Sequence, residues 1–297
     1  MGAKDVIANG PLLRPCDPVS PGRVAVVTGA ASGIGFGLAE RFAAEGMHVV
    51  MADVEEPALS KAAATLAESG ASVLPVATDV ADLSAVEALR DAALSQFGAV
   101  HVVCNNAGVG GPHGPLWECP PGEWDWVLGV NLNGVMNGVR AFMPVLLSQD
   151  AGHLVNTSSI FGAFAGTLGP YGVSKHAVTA LTETLYFNLA AQGVGHVGVS
   201  VLCPGAVRTN FGTSSRNRPA WAGPAAPSDE AERASAERFD ELSVLGASPA
   251  AVAGLVVDGI RSRRFYILTS DNRHGAVLRR GEEIVAGGPP SAPVDFA

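Results

Sequence analysis

The chain has 297 residues, 47% hydrophobic and 16% charged, a balance that suits one large α/β domain. A formal net charge of −9 speaks against a nucleic-acid partner, and the small basic cluster Arg261, Arg263 and Arg264 reads as a solvated helix end. No stretch approaches the ~18 consecutive apolar residues needed to span a membrane, so a soluble, cytoplasmic protein is expected.

Residues 1–21 carry Pro11, Pro15, Pro18 and Pro21 and no apolar run fit for a signal peptide, and read as a flexible or surface-clasping arm. The domain proper is expected over residues 22–286. Arg23–Thr28 (RVAVVT) has the valine-rich composition of a buried strand and runs straight into GAASGIG. Gly29, Gly33 and Gly35 there suit a tight turn that lets backbone approach a pyrophosphate, and a helix from Gly33 to Glu45 points its positive end at the phosphates. A second strand, His48–Ala52, ends at Asp53, eighteen residues beyond Gly35. An acidic group at that distance accepts hydrogen bonds from a ribose and repels a 2′-phosphate. Neither Ser32 nor Val54 supplies a compensating positive charge, so NAD is expected over NADP.

Further strands are predicted at Ser72–Ala77, Val100–Cys104, His153–Thr157, His196–Leu202 and Phe265–Leu268, alternating with amphipathic segments. The fold class is therefore α/β: a Rossmann-type doubly wound parallel sheet of about seven strands with helices on both faces. Ligands of such sheets sit at the carboxyl ends of strands. The helix after Pro170 presents Ala177, Leu181, Leu185 and Leu189 at a spacing of four, an apolar stripe expected to be buried against the sheet or another subunit. Its first turns carry Tyr171 and Lys175 on one face. Moving a tyrosine from ~10 to neutral pH takes about 3 units, roughly 4 kcal/mol. One adjacent cation supplies ~1–3 of them. A second cation, such as an oxidised nicotinamide ring, is thus expected to complete the effect.

Taken in order, these motifs resemble the short-chain dehydrogenases/reductases over about Arg23 to Asn210. The resemblance implies a cofactor site formed by Gly29, Ser32, Gly33, Ile34 and Gly35 of the glycine turn, Asp53, Asp79 and Val80 beside the adenine, and Asn106, Ala107 and Gly108 of the NNAG motif. It further implies Pro204, Gly205, Val207 and Thr209 near the nicotinamide. Asn131, in VNLNG, takes the place of the asparagine that holds a water beside the active-site lysine. For the catalytic serine the residues leave two candidates: Ser158 stands thirteen residues before Tyr171, the family's common spacing, and Ser159 twelve, but in the N-x-x-S pattern. The implied activity is NAD-dependent hydride transfer between nicotinamide and a secondary alcohol or ketone. Tyr171 acts as general acid or base, Ser159 orients the substrate oxygen, Lys175 tunes the tyrosine and binds the ribose, and Asn131 supports a proton relay. A silent, cofactor-binding regulator of the same fold is the alternative reading.

Residues 211–246 read as a substrate lid, with Phe211 and Trp221 as candidate pocket walls and a charged helical run from Asp229 to Leu242. Ser248 followed by Pro249 is a helix start signal, and residues 287–297 read as a loose tail. Cys16, Cys104, Cys119 and Cys203 lack any paired metal spacing, the seven histidines are scattered, and no metal is expected. The partners expected are a small-molecule alcohol or ketone, bulky or aromatic in character, and, by resemblance, copies of the same chain in a homodimer or homotetramer.

Overall fold

The computed structural model describes residues 16–111, 115–166, 168–223, 244–269 and 274–291. Seven strands, β1 (Val24–Thr28), β2 (His48–Asp53), β3 (Val73–Ala77), β4 (Val102–Asn105), β5 (Gly152–Thr157), β6 (Val197–Cys203) and β7 (Tyr266–Leu268), form one parallel sheet in the order β3-β2-β1-β4-β5-β6-β7. Each strand predicted from sequence is present, the largest displacement being the start of β4 at Val102 instead of Val100.

The helices are α1 (Gly33–Ala44), α2 (Glu56–Glu68), α3 (Leu83–Phe97), α4 (Pro121–Leu128), α5 (Gly134–Ser148), α6 (Gly169–Ala191), α7 (Pro249–Arg261) and α8 (His274–Ala286). Because side chains alternate across a strand, β1 feeds both layers of the core. Ala25 and Val27 pack with Leu38 and Phe42 of α1 and Val256 and Ile260 of α7. Val24 and Val26 pack on the other face with Leu89 of α3 and Phe142 and Leu146 of α5. The chain winds outward from β1 in both directions, leaving a crevice between the carboxyl ends of β1 and β4 where open α/β sheets take their ligands. Helix α7 starts as expected: Ser248 Oγ accepts the Ala251 N–H at 3.1 Å, with Pro249 in the first turn.

Within the single chain, the stripe Ala177, Leu181 and Leu185 of α6 is only half-buried, Leu189 alone being covered. The buried face is instead Ser174, Lys175, Val178, Thr179 and Thr182, whose hydroxyls are satisfied internally: Thr182 Oγ1 donates to the Val178 carbonyl at 2.7 Å and accepts from Asn156 Nδ2 at 3.0 Å. Arg261 is also more than a solvated helix end. It pairs with Asp17 at 3.0 Å and Glu45 at 2.7 Å and donates to the Val19 carbonyl, so residues 17–19 clasp the body with Val19 buried. The remainder of the N-terminal arm, the Asp229–Leu242 run and the last six residues lie outside the described residues. No helix among the described residues is long and apolar enough to cross a membrane.

Candidate active site

The glycine turn closes the amino end of the crevice. Gly29 has φ +66°, a conformation that favours glycine, and a Cβ there would stand 2.9 Å from the Ala107 Cα. A Cβ on Gly35 would stand 2.0 Å from the Gly29 carbonyl oxygen, so α1 can leave the turn only with glycine at that position. Ser32 makes no side-chain cap and the first turn of α1 holds no carboxylate. This helix end, aimed at the crevice and without an anion of its own, fits a pyrophosphate. The NNAG motif braces the turn: Thr28 Oγ1 accepts the Asn106 and Ala107 N–H groups at 2.9 and 3.0 Å, and Asn106 Nδ2 donates to the Thr28 carbonyl.

A cavity of about 400 Å³ opens over these groups. Gly29, Ser32, Ile34 and Asp53 line one end, Asn106, Ala107 and Gly108 its floor, and Pro204, Gly205, Val207 and Thr209 the far side with Tyr171 and Lys175. Gly33 and Gly35 shape the turn without walling the cavity, and Asp79 and Val80 lie outside its walls. Asp79 caps its own turn by accepting the Ala81 N–H at 2.9 Å, and Val80 is buried against Gly134. Asp53 is held from both sides, accepting the Ala31 N–H at 3.0 Å and the Glu55 N–H at 3.1 Å.

The chemical end of the cavity is built where β5 stops against α6. Ser158 lines the cavity, but its hydroxyl is taken up by the fold, donating to the Lys175 carbonyl at 2.7 Å and bonding Thr179 Oγ1 at 2.8 Å. Ser159 begins a short 3₁₀ turn, Ile160–Gly162, where its hydroxyl accepts the Phe161 N–H at 3.2 Å, and it lines the cavity with Tyr171. Its hydroxyl favours the Tyr171 phenolate, but burial outweighs that and pushes Tyr171 up to about 12. Burial also pushes Lys175 down to about 8, and its ammonium donates to the Thr157 carbonyl at 2.9 Å. Asn131 lies fully buried in a π-helical turn, Gly129–Asn133, between α4 and α5. Its side chain accepts the Val109 N–H at 2.8 Å and donates to the Val109 carbonyl at 2.9 Å and to Ser174 Oγ at 3.1 Å. The amide thus locks the NNAG loop to α6.

The lid candidates separate. Phe211 lines the cavity and meets Tyr171 edge to face with ring centroids 5.3 Å apart. Trp221 does not line it, and the residue is 65% exposed. Its neighbour Ala222 is instead buried against Val109, Trp126 and Val127, so that 3₁₀ turn anchors on α4 and leaves the indole outside. Sequence reasoning missed Glu55, Phe161, Ser214 and Arg216 as cavity walls. Glu55, two residues past Asp53, and Phe161, two past Ser159, had positional signals; Ser214 and Arg216 had none beyond lying in the lid.

Comparison with known proteins fits this geometry. The short chain dehydrogenase family model matches residues 23–220. The chain is 42% identical over 253 residues, 84% of each protein, to 1-deoxy-11-beta-hydroxypentalenate dehydrogenase of Streptomyces exfoliatus. It is 34% identical to a C alpha-dehydrogenase of a Sphingobium species over 83% of this chain and 80% of that one. A short chain dehydrogenase/reductase of Burkholderia phymatum, solved in complex with NAD, superposes with a TM-score of 0.89 at 43% identity, covering 93% of this chain and 99% of that one. The protein belongs to the short-chain dehydrogenase family and is an oxidoreductase that moves a hydride between a nicotinamide cofactor and an alcohol or ketone.

Proposed function

We propose that the enzyme is NAD-dependent and dehydrogenates a bulky secondary alcohol, with Tyr171 as general base in that direction and general acid in reverse. The observation that carries this is the placement of Ser159, Tyr171 and Lys175 together in the walls of the cavity that Asp53 also lines. A bound nicotinamide cofactor supplies the hydride acceptor and a positive charge when oxidised. Tyr171 takes the substrate hydroxyl proton at its phenol oxygen. Ser159 donates to the substrate oxygen and sets its distance from Tyr171. Lys175, tied to the Thr157 carbonyl, presents its remaining donors toward the cavity, where they orient a ribose and pass the proton outward. Asn131 holds the NNAG loop and α6 in register for this relay.

Asp53 supports NAD over NADP, since its carboxylate stands at the end of the cavity that takes the adenosine ribose. Around Tyr171 stand Ile160, Phe161 and Phe211, an apolar set that suits an alicyclic or aryl alcohol. The relative named for a hydroxypentalenate supports the same class, and the one named C alpha-dehydrogenase supports the oxidative direction. A homo-oligomer is also proposed, supported by Tyr186 and Phe187 standing exposed on α6. The test is Tyr171→Phe, assayed for reduced-nicotinamide formation with a panel of cyclic and benzylic secondary alcohols and, in the same preparation, for NAD binding. Turnover is expected to vanish while NAD affinity stays within about threefold; full turnover in the variant overturns the mechanism.

A further inference from the structure

Beyond Asp53, the cavity contains a second charged device. Glu55 leaves the same turn as Asp53, to which its N–H is bonded, and reaches across to the segment that follows β6. Its Oε1 accepts from Arg216 Nε at 3.0 Å and Nη2 at 2.6 Å, and from Asn217 Nδ2 at 2.7 Å. All three residues line the cavity, and Arg216 is the one guanidinium among its described walls. The third nitrogen of Arg216, Nη1, is held independently by the Thr213 carbonyl and hydroxyl, both at 2.9 Å. Removing the Glu55 charge therefore leaves the guanidinium anchored at the cavity wall with two donors released, the fork geometry that binds phosphate.

We propose that Glu55, by engaging Arg216, is a second determinant of cofactor choice: the pair masks a cation that would otherwise receive a ribose 2′-phosphate. This rests on the reading that the Asp53 end of the cavity takes the adenosine ribose. NADP is then refused twice, by repulsion from Asp53 and because its one compensating cation is occupied. The pair is partly exposed, with 41% and 28% of the Arg216 and Glu55 side chains accessible. Such a pair adds little to stability, so its variants are expected to fold.

The test is calorimetric titration of the cofactor-free protein with 5′-AMP, adenosine 2′,5′-bisphosphate and NAD, in the wild type, Glu55→Gln and Glu55→Gln/Arg216→Gln. Glu55→Gln is expected to bind the bisphosphate about tenfold more tightly than the wild type while AMP and NAD stay within about twofold, and the double variant is expected to lose the gain. No gain in Glu55→Gln overturns the proposal. An equal gain in the double variant also overturns it, since Glu55 would then act by repulsion alone. Failure of the wild type to bind AMP and NAD would overturn the nucleotide reading of this cavity, and the proposal with it.

Discussion

The Lys175 ammonium donates to the Thr157 carbonyl at 2.9 Å and stands 5.7 Å from the centroid of the Tyr171 ring. At that distance the lysine does not lower the phenol: burial, opposed only in part by the Ser159 hydroxyl, holds Tyr171 at about 12 without cofactor. Activation of the tyrosine is expected to wait for a second cation. The difference in phenolate absorbance between wild type and Tyr171→Phe should show no ionisation of this residue below about pH 10 without cofactor, and a shift of several units toward neutrality with oxidised cofactor bound. An unchanged midpoint on cofactor binding would remove the nicotinamide from the account.

The same burial makes a stability prediction. Lys175 has a folded value near 8 against 10.5 for the ordinary side chain. Between those limits the unfolded chain binds more protons, so stability of the cofactor-free protein rises with pH from about 8 toward 10. Tyr171 has the opposite sign: its folded value lies near 12 against 10, so above about pH 10 the folded state holds the extra proton and stability falls. Thermal unfolding across this range should show a rise and then a fall, and Lys175→Met should abolish the rising limb relative to wild type.

The two serines should part company under mutation. On the proposed mechanism Ser159→Ala removes a donor to the reacting oxygen, and it is expected to lower kcat about 10²–10³-fold with folding intact. Ser158→Ala leaves the Lys175 carbonyl and Thr179 hydroxyl short of a buried partner. The expected cost is about 1–3 kcal/mol of stability, with kcat retained once the protein is folded. Paired denaturant titrations and steady-state assays distinguish these outcomes, and the reverse pattern would move the catalytic role to Ser158.

What was legible in the sequence was local. Valine-rich runs closed by Gly29 or Asp53 mark strands, and Ser248–Pro249 marks a helix start, because the chemistry lies within a few residues of the element it specifies. The hydroxyl-bearing face of α6 was not legible for a physical reason. Thr179 and Thr182 satisfy their hydroxyls on the carbonyls of Lys175 and Val178, and so bury within the chain at least as well as Leu189 and better than Leu181 and Leu185. The Glu55–Arg216 pair encloses β3 to β6 and the Glu123–Arg218 pair β5 and β6, and no spacing in the chain announces them. Trp221 shows the same limit, its orientation being decided by what its backbone neighbours grip.

That grip gives the last prediction. Glu123 of α4 and Arg218 form an ion pair at 2.5 Å with only 5% and 9% of their side chains accessible, and Arg218 Nη2 also donates to the Ala222 carbonyl at 2.8 Å. Desolvation raises Glu123 despite the adjacent guanidinium, which offsets part of the cost of burying this carboxyl. Arg218→Ala strands it, and breaking a buried pair from one side costs about 3–5 kcal/mol. The double variant Glu123→Leu/Arg218→Met removes both charges and should recover most of that loss in urea unfolding. The pair also pins the segment containing Phe211 and Ser214 over the cavity. The double variant should therefore raise KM for the alcohol while leaving NAD affinity near that of wild type. If Arg218→Ala unfolds at the same urea concentration as wild type, the pair is not what holds this segment to α4.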